Sequence, residues 1–128
     1  MGKIKIKEET LEDMLQISKE AHPLETGGIM LGKNHVNDFV LIPGEFTPRS
    51  VRIKLNQMPI YVNKKGTFHS HPSPHPNPSK ADQSFFSTMG KYHLIIAKPY
   101  KKESTRAYNN RGEEIKIEII QDKEQKTD

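Results

Sequence analysis

Apolar residues change period several times along the chain, and each change marks an element. Ile4 and Ile6 alternate with Lys3, Lys5 and Lys7, the two-residue period of a short half-buried strand over residues 2–7. Leu11, Met14, Leu15 and Ser18 then recur at i, i+3, i+4 and i+7, with Ala21 continuing the face, so residues 10–21 are predicted to form an amphipathic helix. Thr10 is its expected N-cap, Glu12 and Asp13 lie in the first turn where carboxylates suit the helix dipole, and Pro23 stops it. Ile29, Met30 and Leu31 form an unbroken apolar run, expected as a buried strand, followed by a turn over 33–38 and a returning strand over 39–42. Val51, Ile53 and Leu55 alternate with Arg52 and Lys54 and predict a further strand; residues 58–62 are apolar without a period, a packing segment or an exposed recognition surface. Residues 67–71 read as a strand, and 79–89 as a helix with Ser79 as N-cap and Gly90 just past its end. A buried strand over 93–97 and a strand over 105–108 follow. A turn at 109–112 leads into a last strand with Ile115, Ile117 and Ile119 on its buried face. Residues 121–128 are polar or charged and are expected to fray.

Strands and helices interleaved in this way predict an α+β fold with a mixed, strongly bent sheet flanked by helices at about 10–21 and 79–89. At 128 residues, with no internal repeat or linker, one domain over 1–120 is expected. A hydrophobic share of 33% permits a thin core under long surface loops. No stretch approaches the roughly 18 apolar residues of a membrane span, and the basic, alternating N-terminus lacks an apolar signal core, so a soluble cytoplasmic protein is expected. The absence of cysteine excludes thiol nucleophiles, disulfides and every Cys-ligated zinc site. The net charge of +4 is spread along the chain rather than gathered on one element, which argues for a solvated surface over a nucleic-acid footprint and leaves room for an acidic protein partner.

Chemistry concentrates in residues 68–82. His69 and His71 stand two apart after Phe68, so in a strand both imidazoles share one face and make half of a metal site. Asp82 follows across a proline-rich loop, three positions into the predicted helix. Three protein ligands leave a fourth position for water, the arrangement of a catalytic rather than a structural zinc ion. Taken alone, a histidine- and proline-rich loop also occurs without metal, and His93 by itself reads as a core or edge histidine. Glu25, just ahead of the buried strand, is by residue type either a surface capping residue or a site residue. Gly27 and Gly28 permit close backbone approach or positive φ, but no phosphate-loop spacing follows them.

The wider pattern resembles the JAMM motif of MPN-domain metalloproteases: Glu25 leading into an apolar strand, then His69-Ser70-His71-Pro72, then seven residues to Ser79, two more and Asp82. The motif is matched without a gap or a substitution at a catalytic position, and the resemblance runs from about residue 3 to 120. It implies an MPN, cytidine-deaminase-like fold, with His69, His71 and Asp82 as ligands of one Zn2+ and water as the fourth. It further implies Glu25 as general base and Ser79 as hydrogen-bond donor to the oxyanion. Ser70 should point away from the metal and take a supporting role, and His75 should lie at the cleft rim, where it touches substrate or binds adventitious metal. Gly27 stands where relatives often carry cysteine.

Relatives with an intact motif hydrolyse bonds after the C-terminal Gly-Gly of ubiquitin or ubiquitin-like modifiers. Small stand-alone prokaryotic members remove ubiquitin-like small modifier proteins from lysines or process sulfur-carrier proteins. The implied activity is therefore a zinc isopeptidase or peptidase, as monomer or homodimer. The segment over 51–65, with Met58 and Tyr61, is expected to dock the modifier and offer a strand edge to its tail. The alternatives are a sulfur-carrier-processing peptidase, a non-catalytic MPN scaffold or binding module, another zinc hydrolase acting on a small molecule, and a nucleic-acid-binding module. A deaminase is excluded, because its zinc ligands include cysteines.

Overall fold

The first strand runs straight into the first helix, and this junction sets the frame. In the computed structural model, which describes residues 2–42, 63–86 and 90–121, β1 (Lys3–Lys7) is followed without a loop by α1 (Glu8–Ala21). The cap is Lys7, still extended at φ −65° and ψ 135°, and it makes no side-chain capping bond. Thr10 is therefore not the N-cap expected from its type; it is buried inside the helix. The physical reason is the direct junction: Glu8 and Glu9 already occupy the first turn, where their carboxylates face the N-terminal dipole. The expected face is met, with Leu11, Met14, Leu15 and Ser18 buried and the Ser18 hydroxyl donating to the Met14 carbonyl at 2.8 Å.

Six further strands follow among the described residues: β2 (Gly27–Leu31), β3 (Asp38–Leu41), β4 (Lys64–His71), β5 (Tyr92–Ala97), β6 (Thr105–Asn109) and β7 (Glu114–Ile120). A short helix, α2 (Lys80–Phe86), lies between β4 and β5, and a single 3-10 turn (Lys102–Ser104) leads into β6. The sheet order is β1-β7-β6-β5-β4-β2-β3, with β1–β7 and β4–β5 parallel and the other pairs antiparallel. At its far edges the sheet nearly closes on itself: the Lys7 N–H donates to the Val36 carbonyl and the Val36 N–H to that of Lys5, both at 2.8 Å. That closure bends the sheet around α1.

The sheet's period of two sorts its faces. Met30, Phe68, Leu94, Ile96, Ala107 and Ile115 join Ile4, Ile6, Val36 and the apolar face of α1 in one core cluster. The opposite face carries Thr67, His69, His93 and Ile95, paired across β4 and β5 as Thr67–His93 and His69–Ile95. His93 is fully buried there, with Nδ1 2.8 Å from the Thr67 hydroxyl and Nε2 donating to the Gly90 carbonyl at 3.1 Å, the core histidine that its isolation suggested. Of the glycine pair, Gly28 answers the expectation of close approach: a methyl group there would stand 2.1 Å from the Val40 carbonyl oxygen of β3. No helix among the described residues is long and apolar enough to cross a membrane. The strand expected over 51–55, Met58 and Tyr61 with their expected docking role, the expected end of the second helix at 87–89 and the tail from 122 lie outside the described residues.

Candidate metal centre

β4 is the scaffold of the site. Its alternation sends His69 and His71 out on the face opposite α1, with His69 2% exposed and His71 half-buried. Their Nε2 atoms stand 3.1 Å apart. The third member arrives from α2, where Asp82 is 5% exposed, with Oδ1 3.4 Å from the His69 Nε2 and Oδ2 3.4 Å from the His71 Nε2. Ser79 makes this placement possible. Its hydroxyl accepts the Asp82 N–H at 3.0 Å, and its own N–H donates to Asp82 Oδ2 at 2.9 Å, a reciprocal cap that fixes the first turn of α2. Ser79 is the N-cap its position suggested.

The three donor atoms fit one zinc ion. A tetrahedral ion with bonds of about 2.0 Å holds its ligands about 3.3 Å apart; here the two imidazole nitrogens are 3.1 Å apart, each lies 3.4 Å from a different oxygen of the Asp82 carboxylate, and one ligand atom from each residue lies within 4.8 Å of the others. The donor chemistry agrees, because the His71 Nδ1–H donates to the His75 carbonyl at 3.0 Å, which leaves Nε2 as the nitrogen turned to the cluster, free to give up its proton to a metal ion. His75 thus contributes through its backbone, while its side chain is exposed in the proline loop. Tyr108, 4% exposed on β6, donates its hydroxyl to the Pro76 carbonyl at 2.9 Å and pins that loop over the face. No spacing or residue type in the sequence singled out Tyr108, since its partner is a carbonyl 32 residues away.

Charge within the cluster is strongly coupled. Burial alone would raise the Asp82 pKa, but hydrogen bonds from His69 and His71, the charge of His69 and the Ser79 N–H hold it far below the usual carboxylate range. Burial pulls the His71 pKa down, yet the Asp82 carboxylate, the His75 carbonyl and the Glu25 charge together carry it above the ordinary histidine value.

Glu25 reaches the cluster through the sheet register. β2 and β4 pair antiparallel with Gly27 opposite His69, and the next step is made by Ser70 donating its N–H to the Thr26 carbonyl at 2.8 Å. The same register continued one residue further points Glu25 towards His71, on the face that carries both histidines. Its carboxylate is close enough to act electrostatically on His71, and the residue is half-buried. The structure thus gathers His69, His71, Asp82, Ser79 and Glu25 at one end of β4.

Comparison with known proteins agrees with this geometry. The family described as prokaryotic homologs of the JAB domain matches residues 7–111. A protein of Haloferax volcanii named a probable metalloprotease is 29% identical over 124 residues, 88% of this chain and 76% of that protein. Among solved structures, a JAB1/MPN domain protein from Archaeoglobus fulgidus superposes with a TM-score of 0.75 at 32% identity, covering 91% of this chain and 99% of its own. A structure described as JAMM, a metalloprotease-like zinc site in the proteasome and signalosome, superposes with a TM-score of 0.73 at 33% identity, over 93% of this chain and 99% of that one.

Proposed function

The chain belongs to the prokaryotic homologs of the JAB domain, a metalloprotease-like family, and from that premise we propose that it is a zinc-dependent isopeptidase acting after the C-terminal Gly-Gly of ubiquitin-like small modifier proteins. The observation that carries the reading is the convergence of His69 Nε2, His71 Nε2 and the Asp82 carboxylate, the two nitrogens 3.1 Å apart and each 3.4 Å from one carboxylate oxygen. When bound, zinc brings the pKa of a bound water towards about 7 and polarises the scissile carbonyl.

The chain's own residues divide the remaining chemistry. Glu25, beside His71, takes a proton from the attacking water and passes it to the leaving amine, so the amine departs neutral. Ser79 serves twice. Its hydroxyl oxygen accepts the Asp82 N–H as a cap, and its own O–H remains to be donated to the oxyanion. A Gly-Gly tail offers no side chain to hold, so in this reading it is bound through its backbone. Residues 1–120 form the single catalytic domain in this reading, and Met58 and Tyr61 contact the modifier. The test is cleavage of a ubiquitin-like protein joined through Gly-Gly to a reporter lysine, run beside a linear Gly-Gly fusion. Faster release from the lysine conjugate is expected; faster cleavage of the linear fusion favours a sulfur-carrier-processing peptidase, and turnover of neither removes the substrate assignment.

A further inference from the structure

The serine between the two histidine ligands faces away from them, and its hydroxyl is bonded to the segment that carries Glu25. The geometry points to Ser70 as a positioning residue for Glu25; this inference rests on the reading of Glu25 as proton acceptor. In a regular antiparallel rung, two opposed residues exchange both backbone hydrogen bonds. Between Thr26 and Ser70 one of the two is regular: the Ser70 N–H donates to the Thr26 carbonyl at 2.8 Å. The return bond is not, because the Thr26 N–H donates at 3.0 Å to the Ser70 side-chain oxygen. Ser70 is fully buried, so no exposed rotamer competes for that hydroxyl.

The consequence falls on the next residue. Glu25 lies in the connection between α1 and β2, one residue ahead of the Thr26–Ser70 rung. That connection is tied at its other end by the Tyr100 hydroxyl against His22 Nδ1 at 2.6 Å, and by the Leu24 N–H donating to the Ala21 carbonyl at 2.9 Å. Glu25 sits between these anchors and the Thr26–Ser70 rung, one residue from the latter. The hydroxyl therefore sets where the strand leaves the ladder, and with it the approach of the carboxylate to the metal. A proton acceptor displaced by about 1 Å loses as much as about 100-fold in rate. The motif's middle residue thus acts on the chemistry without touching the ion.

The test uses the full chain loaded with zinc and, separately, with cobalt, comparing wild type, Ser70→Ala, Ser70→Thr and Glu25→Gln. Ser70→Ala is expected to keep one metal per chain and its KM on a Gly-Gly-linked reporter, while kcat falls roughly 10- to 100-fold. At one fixed pH, its cobalt absorption bands are expected to move towards those of Glu25→Gln, and Ser70→Thr, which keeps the hydroxyl, to retain the wild-type bands and kcat. Should Ser70→Ala fail to fold, Ser70→Cys preserves the shape with a weaker acceptor and is expected to move both readouts the same way. Wild-type bands and kcat in Ser70→Ala, with Glu25→Gln altered, overturn the inference, as does loss of metal from Ser70→Ala, which would assign the hydroxyl to the ligands. Equal kcat in wild type and Glu25→Gln means that the reading of Glu25 itself fails, and the inference with it.

Discussion

Replacing Asp82 by asparagine separates charge from shape at the metal centre. The amide oxygen of Asp82→Asn can still accept the Ser79 N–H that Asp82 Oδ2 takes at 2.9 Å, so the cap of α2 survives. The amide nitrogen can face one histidine Nε2 where a carboxylate oxygen now stands 3.4 Å away. Above the His71 pKa the metal-free variant should therefore lose only about 1 kcal/mol, the net worth of a hydrogen bond. At pH 5.5 the loss should grow to about 3 kcal/mol, because a protonated His71 is left buried without its counter-charge. The sign follows from the shifts: the His71 pKa is raised, so the pair's contribution is fully present below the ordinary histidine value and is lost as pH rises through the higher folded value, while the depressed Asp82 pKa keeps its carboxylate charged throughout this window. Zinc at about 100 times its dissociation constant adds about 2.7 kcal/mol to the wild type. For a chain of 128 residues, unfolding entropy of about 2.1 cal/mol/K per residue converts this into a rise in Tm of about 10 °C. The chain has no tryptophan, so the melt is followed by far-ultraviolet circular dichroism. At the same free zinc, Asp82→Asn should gain less than about 3 °C, its affinity having fallen at least about 100-fold. A zinc-induced rise equal to the wild type's would refute Asp82 as a ligand.

Three further predictions follow from the same geometry. Zinc affinity should fall on acidification through the His71 pKa, which lies above the ordinary histidine value, so proton competition starts at a higher pH than for a free imidazole; competition with a chelator across pH 5.5–8.5 reads it, and a flat profile contradicts His71 as a ligand. Ser79→Ala should cost about 1 kcal/mol of stability through the lost cap and lower kcat by about 100-fold or more with zinc retained; loss of stability with full activity would leave Ser79 a cap alone. Leu11→Ala, on the buried face of α1 against the sheet, should cost about 2–5 kcal/mol in denaturant unfolding while the folded fraction keeps its zinc; a cost below 1 kcal/mol would mean that α1 is not seated in the core.

Local signals in the sequence reach part of this architecture. The period of two over 67–71 suffices to put both imidazoles on one face, and Ser79 three residues before Asp82 suffices for a capped turn that aims a carboxylate. Both are decided within a few residues. Glu25 is different: residue type leaves it open between cap and site, and only the β2–β4 register, which sets Gly27 opposite His69, directs the segment ahead of it towards His71, a long-range relation that no local period encodes. The parallel β1–β7 pairing and the near closure at Val36 are likewise long-range, and the missed start of α1 reflects a strand that passes into a helix without the loop an N-cap signal presumes. Tyr108 stayed hidden for the opposite reason: in sequence it is one more aromatic in a short strand, and its function as a pin for the proline loop exists only once β6 lies two strands from β4.

The central claim is a catalytic zinc ion held by His69, His71 and Asp82, with Glu25 moving the proton. Elemental analysis of purified wild type and Glu25→Gln, each then incubated with a Gly-Gly-linked modifier conjugate, tests it most directly. One zinc per chain in both proteins, with cleavage by the wild type alone, is the predicted result. No zinc in either protein after reconstitution, or equal cleavage by Glu25→Gln, would contradict it.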